Sequence, residues 1–288
     1  MEKANVDGIQ LEYEVKGSGE PVLMISTGPI ADSFLPLFPE KALAGYRLIR
    51  YRQRGLDRSD GAGPVSFAKH AADAAGLLGH LSLRRAHVAG HSTGGLIALQ
   101  LAVDRPDVVQ TLALLEPPLV GAPSAGAFFE KVGPALAAYG SGDGHGAMSR
   151  FLSVVSSLDW ETCQRVIEQY IPGGVARAMA HADDLFGSYL PALQAWQFGA
   201  DQAAAISQPV LSVVGTDSER LFLDGHELLH TWFSQIEDCR IEGVAHLLHM
   251  QRPEPVARGV AEFFARHPMK EGSKANQRPS LESTVPGL

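Results

Sequence analysis

The chain has 288 residues, 45% of them hydrophobic and 19% charged, with a formal net charge of −8. That supplies one large core or two modest ones, and the lack of a basic stripe argues against nucleic acid or an anionic membrane as a main partner. No apolar run approaches the roughly 18 residues that span a bilayer, and no charged-then-apolar leader opens the chain, so a cytoplasmic location is expected. Cys163 and Cys239 lie far apart without metal-like spacing and read as reduced structural thiols.

In chain order, residues 8–15 alternate: Ile9, Leu11, Tyr13 and Val15 share one side, Gln10, Glu12 and Glu14 the other. This predicts a half-buried antiparallel edge strand. The run 22–25 is wholly apolar, as expected of a strand with helices over both faces, and it ends in Ser26-Thr27-Gly28-Pro29. A further strand is predicted at 47–51. Helical spacing of Ala71, Ala74, Ala75 and Leu78 predicts a helix over 67–81, followed by a strand at 86–89.

Next comes Gly90-His91-Ser92-Thr93-Gly94-Gly95 and a helix-compatible run that Asp104-Arg105-Pro106 ends. Strand, sharp turn and helix around G-x-S-x-G make a nucleophile elbow, with Ser92 at the tip and the Thr93 N–H directed at a developing oxyanion. A glycine-rich turn with a serine cap has the same letters, so partners must be found downstream. Residues 109–115 predict a buried strand closing in Glu116-Pro117-Pro118. Over 119–207 helical stretches (127–139, 147–157, 162–171, 175–186) appear without a clear strand, which reads as an insertion. Strand character resumes at 209–215 and 239–243, with helices predicted at 226–233 and 253–266. The tail from Pro268 to residue 288 has little to bury and is expected to be disordered. The alternation makes this an α/β protein.

Three ordered motifs carry a family resemblance: Gly90 to Gly95; Arg50-Tyr51-Arg52-Gln53-Arg54-Gly55 with Arg58-Ser59-Asp60; and Gly243-Val244-Ala245-His246 with Pro253-Glu254. Over about residues 8–267 the chain resembles the α/β-hydrolase fold superfamily. The resemblance implies a mostly parallel sheet flanked by helices, with residues 1–118 and 208–267 forming the core and 119–207 a helical cap over the site.

A serine hydroxyl near neutral pH needs an adjacent base, itself oriented by a buried carboxylate. Among 11 histidines, the resemblance singles out His246, in the loop after the last strand; His249 is its rival, and the His91 side chain is expected to point elsewhere. Two carboxylates compete for the acid. Most relatives place an aspartate in G-x-x-D after the seventh strand, but Gly215-Thr216-Asp217-Ser218 puts Ser218 there and Asp217 one position early. Glu116, 24 residues after Ser92, ends the preceding strand, where haloalkane dehalogenases and zearalenone lactone hydrolases place a catalytic glutamate. The missing aspartate at 218 favours Glu116. Ser26-Thr27-Gly28-Pro29 replaces the usual H-G, so the second oxyanion donor is expected from Gly28 or Thr27, with Ser26 filling in for the histidine's structural hydrogen bonds. Arg52, where relatives carry aspartate, is expected to pair with Asp57 or Asp60.

The insertion supplies Phe128, Phe129, Phe151, Trp160, Tyr170, Phe186, Tyr189, Trp196 and Phe198, some to line an apolar cleft and most to pack among themselves. The expected function is a hydrolase without cofactor or metal that acts on a small apolar ester or lactone. Carbon–carbon bond hydrolysis, acyl transfer and slow-turnover ligand reception are the alternatives. Epoxide and haloalkane hydrolysis are disfavoured, because those families use an aspartate where Ser92 stands.

Overall fold

The computed structural model describes residues 1–61 and 63–269. One eight-stranded sheet runs in the order β1-β2-β4-β3-β5-β6-β7-β8. Its strands are β1 (Glu2–Val6), β2 (Ile9–Lys16), β3 (Glu20–Ile25), β4 (Tyr46–Tyr51), β5 (Ala86–His91), β6 (Val109–Leu115), β7 (Val210–Gly215) and β8 (Glu237–Ile241). From β4 to β8 every neighbouring pair is parallel, whereas β2 is antiparallel to both β1 and β4. The central strands are apolar and buried at nearly every position, because helices cover both faces.

The edge strand expected at 8–15 is not at the edge. β1 lies outside it, a five-residue strand burying only Ala4 and Val6, too short to leave a pattern. The polar side of β2 is not bathed in solvent either: Glu12 is buried, and Arg52 Nη1 reaches its Oε2 at 2.8 Å.

Among the described residues two α-helices precede the insertion, α1 (Phe67–His80) and α2 (Thr93–Asp104). α1 starts where Ser66 Oγ accepts from the Lys69 N–H. Between β6 and β7 the chain leaves the sheet for α3 (Ala125–Gly140), α4 (Gly144–Ser156), α5 (Trp160–Tyr170), α6 (Gly174–Ala180), α7 (Ala182–Asp184), a π-helical turn (Leu185–Tyr189), α8 (Leu190–Ala195) and α9 (Ala200–Ala204). Asp143 and Asp159 cap α4 and α5 through their carboxylates. The helix predicted over 175–186 is therefore broken. His181 ends α6 and turns its ring to two carboxylates, Asp57 Oδ1 at 3.3 Å and Asp184 Oδ2 at 2.8 Å.

After β7 come α10 (Arg220–Trp232), then β8, α11 (Leu248–Gln251) and α12 (Pro253–Arg266). α10 begins six residues before its predicted start at 226, carrying Leu221 and Phe222 into the core. Pro253 opens α12, where its missing N–H costs nothing. Met269, inside the expected tail, is buried and donates its N–H to Glu20 Oε1 at 2.9 Å; the remainder of that tail, 270–288, lies outside the described residues. Among the described residues no helix is long and apolar enough to cross a membrane.

Candidate active site

Ser92 joins β5 to α2 with φ 53° and ψ −125°, a region that non-glycine residues avoid and that is held here by its neighbours. Its N–H donates to the Leu115 carbonyl at 2.9 Å, and its own carbonyl accepts from Gly95 at 2.8 Å. The bend brings α2 hard against β3: a Cβ on Gly94 would collide with the carbonyl oxygens of Ile25 and Ser26. Only glycine fits there.

Glu116 ends β6, also at positive φ, 50°. Its fully buried carboxylate is held at both oxygens. Oε1 accepts from the Gly215 N–H at 2.7 Å and from the Ser218 hydroxyl at 2.5 Å, while Oε2 lies 2.7 Å from His246 Nδ1. Asp217 is elsewhere. It is exposed, its Oδ1 accepts from Thr216 Oγ1 at 3.2 Å, and its N–H bonds the Val244 carbonyl. Of the two candidate acids, only Glu116 meets the histidine.

The His246 ring is clamped. Phe222 stacks on it with centroids 3.8 Å apart and planes 9° apart, and the His91 ring lies 4.7 Å away. The His91 side chain, expected to point elsewhere, thus belongs to the site: its Nε2 bonds the His246 carbonyl at 3.0 Å. Burial, then the neighbouring imidazoles, push His91 well below the usual histidine range, so it is neutral and Nε2–H is the donor. His249, the rival base, is wholly buried between His91 and Phe34. Neither cysteine competes as a nucleophile, since burial pushes both thiols up to about 11.

Of the backbone N–H groups expected as oxyanion donors, that of Gly28 is engaged by the Thr93 hydroxyl, which the Thr27 hydroxyl also approaches. The Gly28 N–H donates to Thr93 Oγ1 at 3.2 Å, and Thr27 Oγ1 lies 3.1 Å from the same atom. The structural role expected of Ser26 falls instead to Gln53, whose Nε2 donates to the Ser26 carbonyl at 2.6 Å; the Ser26 hydroxyl itself has no partner. Arg52 pairs with Asp57 at 3.2 Å, and also with Glu12 and Asp32. Asp60 accepts from the Gln10 N–H instead.

Ser92 and His246 open into one narrow cleft between the sheet and the insertion. A family model described as "alpha/beta hydrolase fold" matches residues 20–253. The chain belongs to the α/β-hydrolase family. "Putative carbamate hydrolase RutD" of Variovorax paradoxus is 40% identical over 110 residues, 36% of this chain and 41% of that protein; matches to further curated relatives likewise span less than half of their length. Two solved structures share the fold: a thermophilic esterase from Thermogutta terrifontis (TM-score 0.72, 21% identity, 92% of this chain and 98% of that one) and the enol-lactonase from Burkholderia xenovorans LB400 (0.70, 19%, 92% and 100%).

In this α/β-hydrolase the cleft wall is apolar. The insertion contributes Phe128, Phe151, Leu152, Val155 and Leu193, together with Tyr189, whereas Trp196 and Phe198 stack on each other away from it. Apart from His91 and His246, none of the described lining residues is ionisable at neutral pH. Phe222, Gln53 and Ser218 are the site residues that sequence reasoning missed. Phe222 was hidden because Gly225 interrupts the apolar pattern of α10, although Leu221, Phe222, Gly225 and Leu229 fall on one buried face.

Proposed function

We propose that this α/β-hydrolase is a cofactor-independent serine hydrolase of neutral, apolar carboxylic esters or lactones. The observation that carries the reading is a Ser92–His246–Glu116 constellation opening into a cleft with no carboxylate, lysine or arginine among its described lining residues. His246 Nε2, the nitrogen that Glu116 does not hold, takes the Ser92 proton as Oγ attacks the acyl carbonyl. The Thr93 N–H receives the oxyanion, joined by the Gly28 N–H as it exchanges its Thr93 Oγ1 acceptor for the developing charge, and the protonated base returns its proton to the departing alkoxide. Water then repeats the sequence on the acyl-enzyme and releases the acid. A lactone follows the same course, its alcohol and acid leaving as one molecule.

The wall supports the substrate class. Burying a carboxylate against such a lining would leave its charge unpaired, at a cost of several kcal/mol, whereas an alkyl or aryl group gains about 25 cal/mol per Å² buried. The test is a panel of neutral and anionic esters and lactones with wild type and Ser92→Ala, alongside fluorophosphonate labelling. Turnover of the neutral members should fall at least about a thousandfold in Ser92→Ala, and label should map to Ser92. Full activity in Ser92→Ala would refute the nucleophile; preference for the anionic members would refute the class.

A further inference from the structure

The turn at 26–28 carries one of the two proposed oxyanion donors, and its backbone is gripped from outside. Gln53, almost wholly buried in the loop after β4, donates from Nε2 to the Ser26 carbonyl at 2.6 Å. Its Oε1 lies 2.5 Å from the hydroxyl of Tyr189, which comes from the insertion. Directions of donation follow from chemistry. A carbonyl can only accept, so the amide must turn its NH₂ to Ser26 and its oxygen to the phenol, and Tyr189 must donate. Burial, the dominant influence, pushes the phenol well above its ordinary range, so the proton stays in place at any working pH.

A second contact runs beside the first. The Tyr189 ring presses on the Gly28 backbone so closely that a Cβ there would lie 2.5 Å from Cζ, and position 28 must be glycine while the ring is seated. Tyr189 is the last residue of the π-helical turn Leu185–Tyr189, a conformation that is rare and frequent at functional sites. The extra residue in that turn brings the tyrosine to the cleft wall beside Thr27 and Thr93. One insertion side chain therefore meets the oxyanion loop twice, by its ring directly and by its hydroxyl through Gln53.

We propose that Tyr189 and Gln53 are positioning residues, a relay through which seating of the insertion fixes the 26–28 turn so that the Gly28 N–H, held by Thr93 Oγ1 in this structure, can pass to the oxyanion of the reacting carbonyl. The proposal rests on the reading of Ser92 as nucleophile. Tyr189→Phe removes only the relay proton and keeps the ring over Gly28. A donor that is misaimed, not lost, should lower kcat on p-nitrophenyl butyrate and the rate of Ser92 labelling by a fluorophosphonate about tenfold, with KM within about twofold and an unchanged melting temperature. Gln53→Met cuts both bonds and should lower both rates at least as far. Because the hydroxyl acts through the amide, Tyr189→Phe on top of Gln53→Met should cost nothing more.

Tyr189→Phe at wild-type labelling rate and kcat, or losses that multiply in the double variant, would overturn the relay. A change in KM and melting temperature without a change in kcat would reduce the contact to packing and overturn it equally. An unlabelled wild type would defeat the nucleophile assignment itself, whereas a labelled wild type with an equally labelled Tyr189→Phe would defeat the relay alone.

Discussion

Glu116 illustrates what a single residue contributes here. Its two oxygens face three donors, so a carboxylate is satisfied while an amide is not: in Glu116→Gln the NH₂ must confront either His246 Nδ1–H or the Gly215 and Ser218 donors. Turnover should fall about 10³- to 10⁴-fold with the fold intact, the order seen when a triad acid loses its charge. Asp217→Asn, at an exposed loop position, should stay within about twofold. Steady-state kinetics on the two variants decide, and the reverse ranking would hand the acid's role to Asp217. Ser92 and His246 could be placed from sequence because each lies in a motif of fixed local shape. For the acid the sequence only favoured Glu116 over Asp217, because that role depends on where a flexible side chain reaches across two strand ends, and two carboxylates lay within plausible range. Gln53 and Tyr189 were illegible for a related reason: 136 residues separate them, and nothing local to either announces the other.

At the scale of elements, the elbow and the insertion behave differently. The elbow is over-determined: the strained Ser92 is tolerated because β3 and α2 pack without any intervening side chain. Gly94→Ala drives a methyl into two backbone carbonyls that cannot rotate away, and should destabilise the chain by about 3 kcal/mol or more. The urea midpoint measures this, and a loss below about 1 kcal/mol would mean that the strand–helix approach is looser than the structure shows. Such an element is readable in sequence because one small set of residues permits it. The insertion is less legible. Its apolar spacing announced helices, yet the break at His181 and the π-turn after it arise from partners on the core, Asp57 and Gln53, which periodicity does not contain. Asp57, first among the causes, raises His181, so this contact is strongest below the ordinary histidine value and weakens as pH climbs through the raised one.

Over the whole molecule the buried histidines act the opposite way. Burial holds His70 at about 4 and His249 at about 3, and sends His91 well down, so all three stay neutral in the fold. The unfolded chain takes up these protons near 6.5, binds more of them than the native state as pH falls below that value, and is favoured accordingly. Each residue should cost roughly 2 kcal/mol of stability by pH 5. The urea midpoint should therefore drop markedly from pH 7.5 to pH 5.0, and an unchanged midpoint would show that these imidazoles ionise in place. Alternating strands and helices made the sheet legible at this scale, because burial on both faces writes continuous apolar runs. β1 escaped, since an edge strand with two buried side chains writes almost nothing.

The Ser218 hydroxyl and the Glu116 carboxylate meet at the tips of adjacent strands, where the family resemblance implied an acid at position 218 instead. The sheet thus offers one seat for a negative charge and two chairs from which to reach it. On the proposed reading the acid is a tenant of that seat, not of a sequence position.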